Sequence, residues 1–233
     1  MSSDPGKPES GSVISLAERR PMKHACILHA SLKAGNGGGF EFEPGVERST
    51  VAKLTRHMLS EDELAALPSC PKVLLRANFR EKRIPEVFGF LRGTIFFTPA
   101  MRAYLEELEP GVHSFFPIDL HSTMKIDGRT EHGEHYLLLR PPLVDCLVIS
   151  ETNFWKGYGI EGWIQGKDGQ DGGGLSPEKD QKCTLRREDV AGRHLWLTKI
   201  GSSYTEYTCS DRFWDGVRDK LMIWSPHTRC NLK

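Results

Sequence analysis

TIFFTPAMRAYLEELEPGVHSFFPIDL, residues 94–120, is the stretch on which the fold turns. Thr94, Ile95, Phe96 and Phe97 are β-branched or aromatic, the residue types that suit a pleated, half-buried strand. Thr98 and Pro99 then open a helix. A threonine hydroxyl can accept a free N–H of the first turn, and proline at the first helical position loses no hydrogen bond. Met101, Tyr104, Leu105 and Leu108 recur at three- and four-residue spacing and form one apolar face, with Glu106, Glu107 and Glu109 largely elsewhere. Pro110-Gly111 stops the helix, and residues 112–120 return to a strand pattern. Strand, helix and strand follow one another without the regular spacing of a βαβ unit, which favours α+β architecture.

Working outward toward the C-terminus, Asp127-Gly128 reads as a hairpin turn, with residues 136–139 as the return strand and Pro141-Pro142 as its end. Residues 144–149 form a further, more buried strand. The region 157–177 holds Gly157, Gly159, Gly162, Gly166, Gly169 and Gly172 to Gly174 and is the strongest loop signal in the chain, with a short strand around Trp163 and Ile164. A loop of this length inside a compact domain is usually functional or disordered. Residues 194–197 and 204–208 are strands joined by a turn at Gly201. Ser210 caps a last helix carrying Phe213, Trp214 and Val217, and residues 221–224 are a final strand. Toward the N-terminus, Phe40 and Phe42 alternate with glutamates in a half-buried strand, and residues 23–32 form the first one. Ser60 with Glu63 makes a capping box for a helix that Pro68 ends. Residues 72–76 are a short strand. The expected fold is α+β, with largely antiparallel sheets and short interleaved helices. Residues 1–21, rich in Ser, Pro, Gly and charge, are a flexible tail, and residues 22–233 form a single domain, with 22–93 open to being a smaller subdomain. Met22 is an alternative natural start to Met1.

Composition narrows the function. Lys and Arg total 31 against 31 Asp and Glu in a 233-residue chain, so the formal net charge is zero. Binding of nucleic acid or of an anionic membrane surface through phosphate neutralisation would need a basic excess. The balance leaves room for local patches, because opposite faces can cancel. No stretch approaches the roughly 18 apolar residues that span a bilayer, and no secretory signal pattern stands at the N-terminus, so the expected compartment is the cytoplasm. The cysteines at 26, 70, 146, 183, 209 and 230 include no Cys-x-x-Cys pair and are read as reduced, mostly buried thiols.

Several candidate chemistries can be weighed. His132-Gly133-Glu134-His135, after Glu131, is the one dense cluster of metal-ligand types. A metalloprotease helix needs His-Glu-x-x-His, however, and in a strand residues three apart point to opposite faces. A metal-dependent hydrolase built on His132 and His135 is therefore the alternative reading rather than the leading one. The GNGGG loop at 35–39 lacks the Gly-Lys-Ser/Thr of a phosphate loop. Asp119, Asp127, Asp145 and Glu151 lie near strand ends without the positional Lys or His of a nuclease. Cys209 and His194 could pair, as any chain with this many Cys and His would allow. Arg76, Arg80, Lys82 and Arg83 form the densest basic cluster, read first as a solvated face. Around the glycine-rich segment, Phe154, Trp155, Tyr158 and Trp163 are either anchors for a protein partner or core. Glu151, Glu161, Asp168 and Asp171 lend that segment an acidic character suited to a basic partner surface.

A set of segments in order resembles a known family. Residues 94–120 resemble a block in which a strand and helix precede a "pGvHqFFPv" strand, here Pro110-Gly111-Val112-His113-Ser114-Phe115-Phe116-Pro117. Residues 136–150, YLLLRPPLVDCLVIS, resemble the following paired strands, with Asp145 in the "vDal" position. Residues 190–197, VAGRHLWL, and 207–218, YTCSDRFWDGVR, resemble the C-terminal blocks. The family is that of immunity proteins encoded beside polymorphic toxins and secreted effectors of Gram-negative bacteria. The resemblance covers roughly residues 72–225. The usual "Gl.Gl" before the last strand is missing, and residues 157–182 do not align, which is where toxin specificity would reside. The resemblance implies a non-enzymatic protein, with no catalytic residues and no cofactor or metal. It would bind and neutralise a cognate toxin, in many cases a nuclease, encoded by an adjacent gene. On that reading the expected toxin-binding residues are Glu151, Phe154, Trp155, Tyr158, Glu161, Trp163, Asp168 and Asp171.

Overall fold

A computed structural model describes residues 21–28, 39–43, 53, 60–76, 83–90, 94–139, 141–152, 183–200, 204–218 and 227–233. They form two six-stranded sheets and short helices, the α+β architecture expected. The first sheet has the order β2-β3-β6-β7-β5-β4. Its strands are β2 (Gly39–Phe42), β3 (Lys72–Arg76), β4 (Val87–Phe90), β5 (Thr94–Phe97), β6 (Ser114–Ile126) and β7 (Arg129–Leu139). The second has the order β8-β10-β11-β1-β12-β9. Its strands are β1 (Ala25–Leu28), β8 (Leu143–Val144), β9 (Cys183–Leu185), β10 (Leu195–Ile200), β11 (Tyr204–Ser210) and β12 (His227–Leu232). Pairing is antiparallel except for β3 with β6, β8 with β10 and β9 with β12. The helices are α1 (Glu61–Ala65), α2 (Pro99–Leu108), α3 (Arg187–Val190) and α4 (Asp211–Val217). None is long and apolar enough to cross a membrane.

Local chemistry sets many of these boundaries as the sequence predicts. Ser60 and Glu63 form the reciprocal capping box at α1. Thr98 Oγ1 accepts from the Met101 N–H with Pro99 at the first helical position. Ser210 Oγ accepts from the Phe213 N–H at α4. Asp127 and Gly128 take φ of +53° and +74°, the left-handed pair that a two-residue hairpin turn requires. That turn joins strands longer than expected, because β6 runs on to Ile126 and β7 begins at Arg129. Val112 lies outside β6 and is exposed.

Three cores follow from the two-residue alternation of the strands. On the outer face of the first sheet lie Val73, Leu75, Phe88, Phe96, Phe116, Ile118, Leu120, Leu137 and Leu139, with Phe40, Phe42, Leu64 and Leu67 packed against them. Between the sheets, Phe97, Tyr136 and Leu138 meet Cys26, Leu28, Tyr207 and Cys209, together with Met101 and Leu105 of α2 and Phe213 and Val217 of α4. On the outer face of the second sheet lie Ala25, Ile27, Cys146, Leu147, Cys183, Leu185, Trp196 and Cys230. All four residues of β1 are buried because both of its faces are covered.

Some expectations change. Residues 144–149 are not one strand. Strand β8 is two residues long, Leu147 makes an isolated bridge to Leu185, and a 3₁₀ turn follows at Ile149–Glu151. The expected strand at 221–224 lies outside the described residues. The C-terminal strand is β12, which pairs with both β1 and β9. Glu109 is buried instead of standing in solvent. Its Oε2 lies 2.7 Å from His113 Nε2 and accepts the Leu195 N–H at 2.9 Å. One carboxylate at the end of α2 thus joins the first sheet to β10 of the second. The cysteines are all free; Cys70 is exposed and the other five are buried.

Candidate functional site

Of the residues expected to face a partner, Glu151 is described and Phe154, Trp155, Tyr158, Glu161, Trp163, Asp168 and Asp171 lie outside the described residues, as do Gly157 and the rest of 153–182. Both ends of that segment are fixed on the second sheet. The Val148 N–H donates to Thr184 O at 2.8 Å, and the Thr184 N–H donates to Thr152 Oγ1 at 3.2 Å. Thr152 Oγ1 donates back to Val148 O at 2.8 Å, and Thr184 Oγ1 donates to Glu151 O at 3.4 Å. Thr184 is almost fully buried, so these bonds are shielded from water. Below them the Arg186 guanidinium donates to Asp189 at 2.5 Å and to the carbonyl of Leu147 at 3.3 Å, and it also bonds the carbonyl of Asp145. The chain therefore leaves edge strand β9 and its neighbouring turn through a closed stem. Glu151 stands at the stem, half-buried and ion-paired with Lys233.

The histidine cluster is arranged differently from its sequence pattern. Gly133 pairs with Leu120 and Glu131 with His121, so His132 is the extra residue of a β-bulge, and Gly133 takes φ +73°. The bulge overturns the expectation that His132 and His135 point to opposite faces. His132 Nε2 lies 2.8 Å from Ser122 Oγ, on the face of β6 that also carries Leu120. Ser122 Oγ gives its own hydrogen to Met124 O, so the His132 Nε2–H is the donor. His135 lies on the same face, buried edge-on to Phe88, and shares a hydrogen bond with Gly133 O through Nδ1. Burial holds both imidazoles below the ordinary histidine pKa, and for His132 the nearby His135 adds to the effect. His121 faces Asp119 at 2.7 Å. Among the described residues no three His, Cys, Asp or Glu side chains converge where a metal ion could sit.

The remaining candidates are dispersed. Asp127 lies 3.4 Å from Arg129 on the hairpin tip, and Asp145 lies between Arg186 at 3.9 Å and Lys199 at 3.7 Å. Cys209 is fully buried, which pushes its thiol well above the usual range. His194 bonds Ser210 Oγ through Nδ1 at 2.7 Å. In the basic cluster, Arg76 pairs with Glu41 of β2 at 2.7 Å, and Lys72 at the start of β3 pairs with Glu43, just past β2, at 3.1 Å, so both cations of β3 are matched by glutamates. Arg83 is exposed, and Arg80 and Lys82 lie outside the described residues.

Compared with known families, residues 29–225 match the model described as Immunity protein family (Imm11). No curated protein matches the chain.

Proposed function

The chain belongs to the Immunity protein family (Imm11), and from that premise we propose that it binds and neutralises a cognate antibacterial toxin in the cytoplasm of the cell that makes both. The partner is the product of an adjacent gene in a polymorphic toxin system, delivered to rivals by a route such as type VI secretion, and a nuclease is the favoured activity. The observation that carries this reading is the family match over most of the chain. Inhibition of this kind needs no reactive group. It needs a surface of about 800 Å² per partner with a few well-packed anchors. The protein accordingly acts by binding rather than by catalysis.

The contact surface on this reading is the segment that leaves the Thr152–Thr184 stem. Because the stem already holds both ends of the segment, bringing those ends together costs no entropy on binding. Co-expression with each neighbouring gene product, followed by growth assay and pull-down, tests the function. Rescue of growth together with stable co-purification is expected, and the absence of rescue from every neighbouring toxin would sink the idea. Within a confirmed complex, Trp155→Ala and Glu161→Lys weaken binding more than His132→Ala. Unchanged affinity in the first two places the interface elsewhere.

A further inference from the structure

Beside β1, α3 and α4 lies an open cleft of about 1190 Å³. Lys23, Arg187, Arg193, Arg212 and Arg229 line it, against the carboxylates of Asp211 and Asp215. The local excess of cations contrasts with the zero net charge of the whole chain. The two carboxylates offset only part of it, against five cationic side chains. Asp211 accepts the backbone N–H groups of Lys23 at 3.0 Å and of Arg212 at 2.9 Å, and Asp215 lies 3.9 Å from Arg218. The cations are directed at neutral acceptors. Arg187 donates to the carbonyl of Met22 at 2.7 Å, Arg193 to that of Asp189 at 3.4 Å, and Arg229 to His24 Nδ1 at 3.0 Å. That last contact requires an unprotonated His24 nitrogen, and burial and the Arg229 charge both lower its pKa. The side chains of Lys23 and Arg212 make no ion pair or hydrogen bond among the described residues.

An excess of cations in a concave site, with Leu232 as an apolar neighbour, focuses a positive potential. The volume exceeds the roughly 300–1,000 Å³ of small-molecule pockets, and the site is open, so a stretch of polypeptide fits it better than a metabolite does. The cleft also borders the stem of the 153–182 segment. The Arg187 N–H donates to Lys233 O at 2.8 Å, and Lys233 in turn pairs with Glu151. We propose that this cleft receives an acidic segment of the protein partner, whose Asp and Glu carboxylates engage Lys23, Arg212 and Arg229. The inference rests on the reading of the chain as a toxin-binding protein. It gives that protein a second contact beside the acidic segment, of opposite sign, and so requires a partner with both charges on its docking face. A partner matched to both is discriminated from one matched to either, because like charges brought together on docking oppose binding.

The test uses the full chain and two independent arms. In the first, a fluorescein-labelled oligo-glutamate peptide is titrated at low salt and followed by anisotropy, alongside an oligothymidylate of similar charge. Saturable binding of the peptide is expected. The pair Lys23→Glu/Arg212→Glu should weaken it by about tenfold or more, and the equal charge change Lys125→Glu/Arg129→Glu at the hairpin tip should leave it unchanged. No saturable peptide binding, equal weakening by the hairpin pair, or tighter binding of the oligothymidylate overturns the inference. In the second arm, the adjacent gene product is captured by the wild-type chain and by the Lys23→Glu/Arg212→Glu variant. Equal capture overturns the cleft inference and leaves the immunity reading standing. Capture by neither, with peptide binding intact in the first arm, removes the toxin reading and leaves the cleft as a site for acidic polypeptide.

Discussion

The two sheets are built from different chemistry and different sequence distances. The first is assembled from β2 to β7 in one continuous region, with β4–β5 and β6–β7 as neighbouring antiparallel pairs. Its outer core is made of rings: Phe40 meets Phe96 edge-on at 5.2 Å, and Phe88 stacks on Phe96 at 4.9 Å. The second sheet places β1, from residues 25–28, between β11 and β12 from the far end of the chain. Its outer core sets the thiols of Cys146, Cys183 and Cys230 and a hydroxyl network among aliphatic side chains and Trp196. Cys26 pairs in register with Cys209, and Cys183 with Cys230. Trp196 Nε1 donates to Thr198 Oγ1 at 3.0 Å, which lies 2.7 Å from Thr208 Oγ1. Aromatic rings supply large apolar area without a polar debt, whereas a buried hydroxyl network holds only while every member is paired. The second sheet therefore depends more on completeness, and its closure waits for the whole chain.

The comparison can be broken most severely at β12. A chain ending at residue 226 should lose cooperative unfolding altogether, because β9 loses its partner strand and β1 loses one of its two; calorimetry of the truncated and full chains reads this directly. Next, Phe116→Ala should cost about 3–5 kcal/mol in chemical denaturation, since its ring is buried in the first sheet. Glu109→Ala should cost a similar 3–5 kcal/mol by leaving buried His113 and the Leu195 N–H without their shared acceptor. Glu109→Gln should recover part of that loss. If Glu109→Ala is silent, the carboxylate does not couple the sheets.

A smaller effect concerns acid. His132 and His135 on the first sheet, and His24 and His194 beside the second, all have folded pKa values lowered chiefly by burial. The unfolded chain then binds more protons than the folded one once the pH drops below about 6.5, the ordinary histidine value. The stability these groups contribute is complete above that pH and declines as the pH falls toward the folded values. Melting temperatures at pH 7.5 and 5.0 should show the drop. His135→Gln, at a buried site, should flatten the profile more than His24→Gln, at a half-exposed one. The least perturbing probe is a thiol reagent at pH 8. Cys70 should react rapidly and the other five slowly, because burial pushes the Cys26 thiol up to about 12 and holds Cys209 and Cys230 well above the usual range. Rapid reaction of several thiols would show that the second sheet opens readily.

The same contrast governs what could be read in advance. In the first sheet, Phe40 and Phe42, the 72–76 strand, the Thr98-Pro99 start of α2 and the Asp127-Gly128 turn all carry their signals within a few residues. Strand β4 carries no such signal, because Val87 to Phe90 is interrupted by Gly89. The bulge at His132 has one local signal, Gly133 inside a strand pattern. In the second sheet, β1, β10, β11 and the Ser210 cap were legible. Strands β9 and β12 were not, since Cys183-Thr184-Leu185 is too short to show a period and His227 to Leu232 mixes polar and apolar residues. The candidate site was legible as a segment and not as a geometry, and neither the Thr152–Thr184 stem nor the basic cleft has any local signature.

The sequence by itself determined the α+β class, the positions of helix caps and turns, and the ordered blocks of an immunity-protein family. These depend on side chains within one or two turns of each other. Tertiary structure alone decided that β1 would lie between two strands from the opposite end of the chain. It also decided that Glu109 would be buried as a link between sheets, and that Lys23, Arg212 and Arg229 would gather in one cleft of a chain whose charges sum to zero. Pairing over such distances is fixed by the joint burial of all the faces involved, a quantity that no local stretch of residues contains.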